Sequence, residues 1–381
     1  MSSANIAATS AAANADERMR SVGTVRKLLA RPEFGAIAGT LLILVLFLMS
    51  AGDSGMFNAE GVVNWGTVAA FLGVIAVGAA LLMIAGEFDL SVGSMIGFAG
   101  MMMAIPILEW GWAPSVAVVF AFACAMLLGG LNGWLVIKTG LPSFIVTLAF
   151  FFILRGLSLA VAVLLTGKTI LSSNGDVVLR EVMQADPLVA SLFMGHVLTG
   201  LFDSLASAGW LAARDDGTAL AIGVPKVVVW WLVMTAVGAF VLARTRAGNW
   251  ILSVGGDANA AKNVGIPVGS VKISLFMLTA FCATLFAVLQ VADAGSAAAD
   301  RGLQKEFEAI IAAVIGGCLL TGGYGSVIGA AFGALIFGMV QIGIGYTSID
   351  NNWYRVFLGA MLLIAVLFNN YIRRRYALGK R

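Results

Sequence analysis

GEFDLSVGSMIG, residues 86–97, sets two carboxylates, Glu87 and Asp89, inside an otherwise apolar run from Thr67 to Pro106. The run is about 40 residues long, whereas a bilayer is crossed by about 20. The acidic patch therefore divides it into two spans joined by a tight, Gly- and Ser-rich hairpin. A charge at mid-bilayer costs several kcal/mol, so Glu87 and Asp89 are expected at an interface or in a protein-lined cavity. The stretch thus reads as one turn of a polytopic, all-α membrane protein.

Composition extends that reading to the whole chain. The sequence is 60% hydrophobic and 11% charged, with a mean hydropathy of +0.97. A soluble domain carries roughly 25% charged residues. There are 46 glycines and only seven prolines, a balance suited to close helix–helix contact in lipid. The cysteines, Cys124, Cys282 and Cys318, all lie in apolar runs. They read as small buried hydrophobes, with neither a disulfide set nor a metal site implied. A net charge of +3 gives no reason to expect a nucleic-acid partner.

About ten transmembrane helices are predicted, near 34–51, 67–85, 90–106, 113–137, 143–165, 225–243, 272–292, 307–321, 325–346 and 354–370. They make up a membrane domain over 34–370. Residues 1–33 form a polar tail with a basic surface segment and no signal-peptide core, so no cleavage is expected. Residues 371–381 form a basic tail. Fifteen Lys and Arg residues fall on the side of the termini and seven on the other, with Arg155 inside a span. Basic residues concentrate in the cytoplasm, so both termini are expected there. The segment near 166–224 is then external and that near 244–271 cytoplasmic. Within the external segment, 188–210 reads as an interfacial helix, a re-entrant one or an additional span.

No catalytic constellation is visible. His196, the single histidine, stands in the external segment, and no HExxH or CxxC pair occurs. AVLLTGKT (162–169) mimics a phosphate loop but has Ala162 where the leading glycine belongs, and it ends a membrane helix. An ATP-driven process therefore needs a nucleotide-binding site on another chain. The cytoplasmic stretch RTRAGNWILSVGGDANAAKNVGIPVGSV (244–271) reads as a short helix broken at Gly255–Gly256, a second through 258–264, and a turn at 265–267. Such a rigid element can be a plain connecting loop or a contact for a moving partner. GSMIGFAG (93–100) and GSVIGAAFG (325–333) read as small-residue packing faces through Gly93, Gly97, Gly325, Gly329 and Gly333.

Four blocks resemble the permease subunit of bacterial ATP-binding-cassette importers for monosaccharides of the ribose, xylose and fructose type. They are GEFDLSVGSMIG (86–97), GGLNGWLVIKTGLPSFIVTLAFFFILRGL (129–157), VGGDANAAKNVGIPVGSVK (254–272) and EFEAIIAAVIGGCLLTGGYGSVIGAAFGALI (306–336). They follow one another in the family's order. Asp257 departs from an expected asparagine, and Cys318 from a small hydroxyl residue.

The resemblance implies a transport subunit with no catalytic residues, metal or cofactor of its own, and ATP bound on a partner ATPase. It further implies a homodimer with the path at its interface and a periplasmic sugar-binding protein outside. Gly255, Gly256, Asp257, Ala260, Ala261, Gly265 and Ile266 are then expected to meet the ATPase. Glu87, Asp89, Ser91 and Gly93 form the family hairpin. A neutral sugar needs hydroxyl, amide and aromatic groups, which nominates Ser94, Asn132, Ser143, Phe144, Thr147 and Arg155 for the path. Arg180, Arg301, Lys305 and Arg355 are expected to dock the binding protein. Competing readings are an ion-coupled carrier, whose acidic residues would lie deep in its spans, and a permease of this architecture for nucleosides or branched-chain amino acids.

Overall fold

A computed structural model describes residues 33–347, 349–350 and 352–378. The predicted polar tail and its basic surface segment lie outside the described residues, apart from Glu33. Among the described residues, eight helices are long and apolar enough to cross a membrane. They are α1 (Glu33–Ala51), α2 (Ala59–Ile84), α3 (Val92–Trp110), α4 (Pro114–Thr139), α5 (Ser143–Thr166), α9 (Lys226–Arg244), α12 (Val268–Ala294) and α14 (Val327–Gly343), with single 3-10 turns extending α1 and α14.

The two remaining predicted spans take other forms. The one near 307–321 is an 11-residue helix, α13 (Lys305–Ile315), followed by a non-helical stretch up to Ser326. Gly316, Gly317, Gly322 and Gly323 lie in that stretch, and three of them adopt positive φ, so an apolar run that reads as continuous is broken. The last is α15 (Trp353–Leu378), apolar over Trp353–Ile364, which carries the helix into the predicted basic tail.

The core is built by α2, α3, α12 and α14. The windows of α2 and α3 are 83% and 89% buried, whereas those of α5 and α9 are 22% buried. Small residues set the packing distance. Gly129 and Gly133 of α4 lie against the α12 backbone at Phe276 and Ile273, and Gly333 of α14 lies on the Ala312 carbonyl of α13. Gly93 and Gly97 lie against residues 299–306. Both glycine faces are thus packing surfaces. The three cysteines are unpaired; Cys282 and Cys318 are buried and Cys124 half-buried.

The segment between α5 and α9 holds three short helices, α6 (Leu179–Ala185), α7 (Pro187–Phe193) and α8 (Thr199–Ser207), and two-residue strands β1 (Ile170–Leu171), β2 (Ser173–Asn174), β3 (Val177–Val178), β4 (His196–Val197) and β5 (Val224–Pro225). Strand β1 (Ile170–Leu171) pairs with β6 (Ala297–Ala298), beyond the end of α12. Residues 188–210 contain no helix above nine residues. Nine residues rise about 14 Å, under half the hydrocarbon thickness, so no helical span lies there. Asp186 caps α7 by accepting from the amides of Leu188 and Val189 at 3.0 and 3.2 Å, and it accepts from the Ser115 amide at 2.9 Å. Partial burial pushes its carboxyl up; the Ser115, Val189 and Leu188 bonds more than reverse this and hold it below the ordinary carboxylate range.

Candidate functional site

Helix α2 ends at Ile84, and the chain turns through Gly86 at φ +83° before α3 begins at Val92. Residues 87–91 are extended or turned, so their amides lack the i−4 carbonyls of a helix. Two of the missing partners come from α5. The Phe88 amide donates to Ser143 Oγ and the Leu90 amide to Thr147 Oγ1, both at 3.0 Å. Ser143 and Thr147 are four residues apart and present their hydroxyls along one helical face.

The carboxylates have separate tasks. Glu87 forms an ion pair with Lys272, at the start of α12. Asp89 is buried and accepts from the Ser91 amide at 2.9 Å, Ser91 Oγ at 2.6 Å and Thr279 Oγ1 at 2.6 Å. Asn132 Nδ2 donates to Ser91 Oγ at 3.0 Å. Asp89, Ser91, Asn132 and Thr279 therefore form a polar knot joining the hairpin to α4 and α12. Ser94 Oγ and Asn132 Oδ1 are buried there without a hydrogen-bond partner among the described residues. Neither Thr279 nor Lys272 carried a sequence signal for this role: one is a lone hydroxyl in an apolar span, the other a basic residue at a span end.

Of the residues nominated for the path, Ser94, Asn132, Ser143 and Thr147 are at most 5% exposed. Asn132, Ser143 and Thr147 support the hairpin from behind. Phe144 is half exposed on the outer face of α5, and Arg155 is half-buried.

The 244–271 stretch folds as α10 (Arg246–Gly256) and α11 (Ala258–Asn263), followed by Gly265 at φ +87°. Helix α10 keeps both glycines, so the predicted break falls one residue later, at Asp257. Asp257 caps α11, accepting from the Asn259 and Ala260 amides at 2.9 and 3.0 Å. An asparagine would cap equally well, which accounts for the exchange with the residue the family resemblance expects. Ile251, Val254 and Ala261 are buried, while Asp257, Ala260 and Gly265 are exposed and Ile266 is half-buried.

The structure brings this loop directly onto the hairpin. A Cβ on Gly255 would stand 1.7 Å from the Ile84 carbonyl oxygen and 2.6 Å from the Gly323 amide nitrogen. The Gly323 amide donates to that same carbonyl at 2.8 Å. A Cβ on Gly322 would lie 2.8 Å from both the Gly255 carbonyl oxygen and Gly86 Cα. Three chain segments thus meet backbone to backbone, and side chains are excluded from the contact.

The predicted docking residues separate. Arg180 and Arg355 are exposed, and Arg180 borders an open cavity of about 460 Å³ with His196, Lys226 and Asp293. Arg301 and Lys305 are half-buried. Arg301 donates to Ser296 Oγ at 2.8 Å, and Lys305 pairs with Glu308 at 2.5 Å. The adjoining Gly302 and Glu306 lie against Gly93, near the hairpin end of α3, because the stretch from Ala299 runs along that helix toward the hairpin. The phosphate-loop mimic at 162–169 is the end of α5 and the turn after it, and no group of three or more metal-binding side chains occurs among the described residues.

Eight long apolar helices, a buried turn and an exposed, rigidly seated loop describe a multi-pass membrane permease. Residues 61–366 match the family described as branched-chain amino acid transport system / permease component, and the chain belongs to it. It is 29% identical over 373 residues to the xylose transport system permease protein XylH of Escherichia coli (strain K12), covering 90% of this chain and 92% of that one. It is 31% identical over 313 residues to the inner membrane ABC transporter permease protein YjfF of the same strain, covering 82% and 84%. The ribose import permease protein RbsC of that strain is 28% identical over 330 residues, covering 86% and 91%. No solved structure gives a significant match.

Proposed function

We propose that the chain is the membrane subunit of an ATP-driven importer for a monosaccharide, set in a bacterial inner membrane with both termini inside. The observation that carries this is similarity over nearly the whole chain to permeases named for xylose and ribose. The four sequence blocks agree with it, and they favour a sugar over a branched-chain amino acid or nucleoside. Two copies form the path, a partner ATPase binds and hydrolyses the nucleotide, and a periplasmic binding protein delivers the sugar to Arg180 and Arg355. The subunit needs no cofactor of its own.

The mechanism follows from the glycine contact. The exposed residues of α11 and the following turn, including Val264 at 77% exposure, offer an apolar and polar face to the ATPase. Displacement of that face is passed to Ile84 and Gly323 without an intervening side chain. The hairpin then pulls on α5 through the Ser143 and Thr147 hydroxyls, so that ATP binding and release rock α5 and alternate the access. The test is uptake by proteoliposomes containing permease, ATPase and binding protein, across a panel of pentoses and hexoses. ATP-dependent uptake of one or a few sugars is expected. Uptake by the permease alone, abolished by collapsing the proton or sodium gradient, would instead identify an ion-coupled carrier.

A further inference from the structure

We propose that the open cavity where α2, α9 and α12 meet the external segment is a sugar subsite within each subunit, at the outer end of its path. This rests on the importer reading and names where the permease first holds its substrate. Three span ends come together there: Glu60 is the second residue of α2, Lys226 the first of α9 and Asp293 the last but one of α12. Glu60, Asn64, Thr67 and Phe71 fall on one face of α2 and all border the cavity, so it follows that helix inward for about 16 Å from Glu60. The outer wall is the turn after α7. Lys226 Nζ donates to the carbonyls of Ala190 and Ser191 at 2.8 and 2.5 Å, Trp230 Nε1 donates to the Leu192 carbonyl at 2.9 Å, and the Trp230 ring stacks on Phe193 with centroids 5.7 Å apart. The pairing of β4 with β5, which sets His196 opposite Pro225, closes the same wall. The cavity is therefore a built feature fastened to α9.

The lining selects a class of ligand. At about 460 Å³ the cavity lies within the range of small-molecule sites, about 300–1,000 Å³. Glu60, Asn64, Arg180, His196 and Asp293 are exposed and make no side-chain hydrogen bond or ion pair among the described residues. Carboxylates and a guanidinium thus share one cavity without closing on each other, and the fold leaves their hydrogen-bonding capacity free. The fixed charges, Glu60 and Asp293 against Arg180 and Lys226, sum to zero, which favours a neutral solute over an anion or a cation. Carboxylate and amide oxygens accept from sugar hydroxyls, while guanidinium and amide N–H groups donate to them. Phe71 and Phe193 add aromatic surface for the C–H face of a sugar ring. An amino-acid zwitterion is also neutral overall, but it engages two charged groups and leaves Asn64, His196 and the second carboxylate without partners. A polyol has a hydroxyl for each.

The experiment uses the permease–ATPase complex in nanodiscs, with Cys124 replaced by alanine and the binding protein left out so that docking cannot shield the cavity. Asn64→Cys and, as a control in the external segment outside the cavity, Ser207→Cys are treated with a water-soluble, cationic thiosulfonate; both positions are exposed. The probes are D-xylose, D-ribose and D-fructose, each also assayed for ATP-driven uptake by the complete complex, and leucine. A sugar that is taken up is expected to slow the reaction of Asn64→Cys about threefold or more, with leucine without effect and Ser207→Cys unmoved by either. No protection by a sugar that the complete complex takes up, or protection by leucine alone, overturns the proposal; absence of ATP-driven uptake of any sugar tells against the importer reading instead. In parallel, Asp293→Ala should raise the sugar concentration for half-protection about tenfold, the loss of one charged hydrogen bond, and Asp293→Asn should raise it less. A surface carboxylate with no part in binding would leave that concentration unchanged in both variants, which also overturns the proposal.

Discussion

Replacing Gly255 with alanine tests whether the three-segment glycine contact holds the permease together where α10 meets the hairpin. The added methyl would stand 1.7 Å from the Ile84 carbonyl oxygen and 2.6 Å from the Gly323 nitrogen, whereas real Cβ atoms do not come within 3.0 Å of such neighbours. Both neighbours are backbone, so neither can rotate away. They are also the acceptor and donor of one 2.8 Å hydrogen bond, and the methyl wedges between them. Overpacking a close contact costs about 1–3 kcal/mol, and a buried amide pair left unmade costs about 1–3 kcal/mol more. The expected loss is therefore about 2–6 kcal/mol, or a separation of the loop from the hairpin that relieves it. Gly256→Ala is the matched control, since nothing lies within 4 Å of its Cβ; its effect should stay within about 0.5 kcal/mol. Thermal unfolding of the purified complex and sugar moved per ATP in proteoliposomes read the two routes. Equal stability and equal coupling in the two variants would refute the reasoning.

Asp89→Ala should destabilise the permease by about 2–5 kcal/mol, because it strands the amide and the hydroxyl of Ser91 in a buried knot; Asp89→Asn, which keeps an acceptor, should lose less in the same melting assay. Ser143→Ala with Thr147→Val removes both acceptors for the hairpin amides while nearly keeping shape. ATP hydrolysis should persist and sugar moved per ATP should fall, and an unchanged ratio would place the hairpin outside the transmission route. Gly265→Val forces a β-branched residue into φ +87°, a strain of about 1–2 kcal/mol on a turn with open space around it. The protein should insert normally and hydrolyse ATP with reduced transport, and full transport would argue against a coupling role for this turn.

Glu87 and Asp89 were legible as residues that could not continue a lipid-facing helix, because hydrocarbon admits no bare carboxylate. Their partners were not legible. Lys272 and Thr279 lie nearly two hundred residues away on α12, and a single hydroxyl in an apolar span looks the same whether it bonds to its own turn or to a buried acid. The glycines of 86, 255–256, 322 and 323 stood in three of the four family blocks, yet spacing along the chain says nothing about which blocks touch. Only the fold shows that they are one contact.

The start of α13 was hidden for a related reason. A hydropathy window sees the apolar run of 307–321 and scores a span, but it cannot register that residues 299–306 lie along α3 and bring the start of α13 against Gly93, at the hairpin end of α3. Arg301 and Lys305 therefore read as surface charges at a span end. The structure instead half-buries both and pairs them locally, by the same physics that placed Glu87 and Asp89 away from lipid. A charge excluded from hydrocarbon must border protein or water, and each of these finds a partner close by in its own stretch of chain: Ser296 five residues before Arg301, and Glu308 three residues after Lys305.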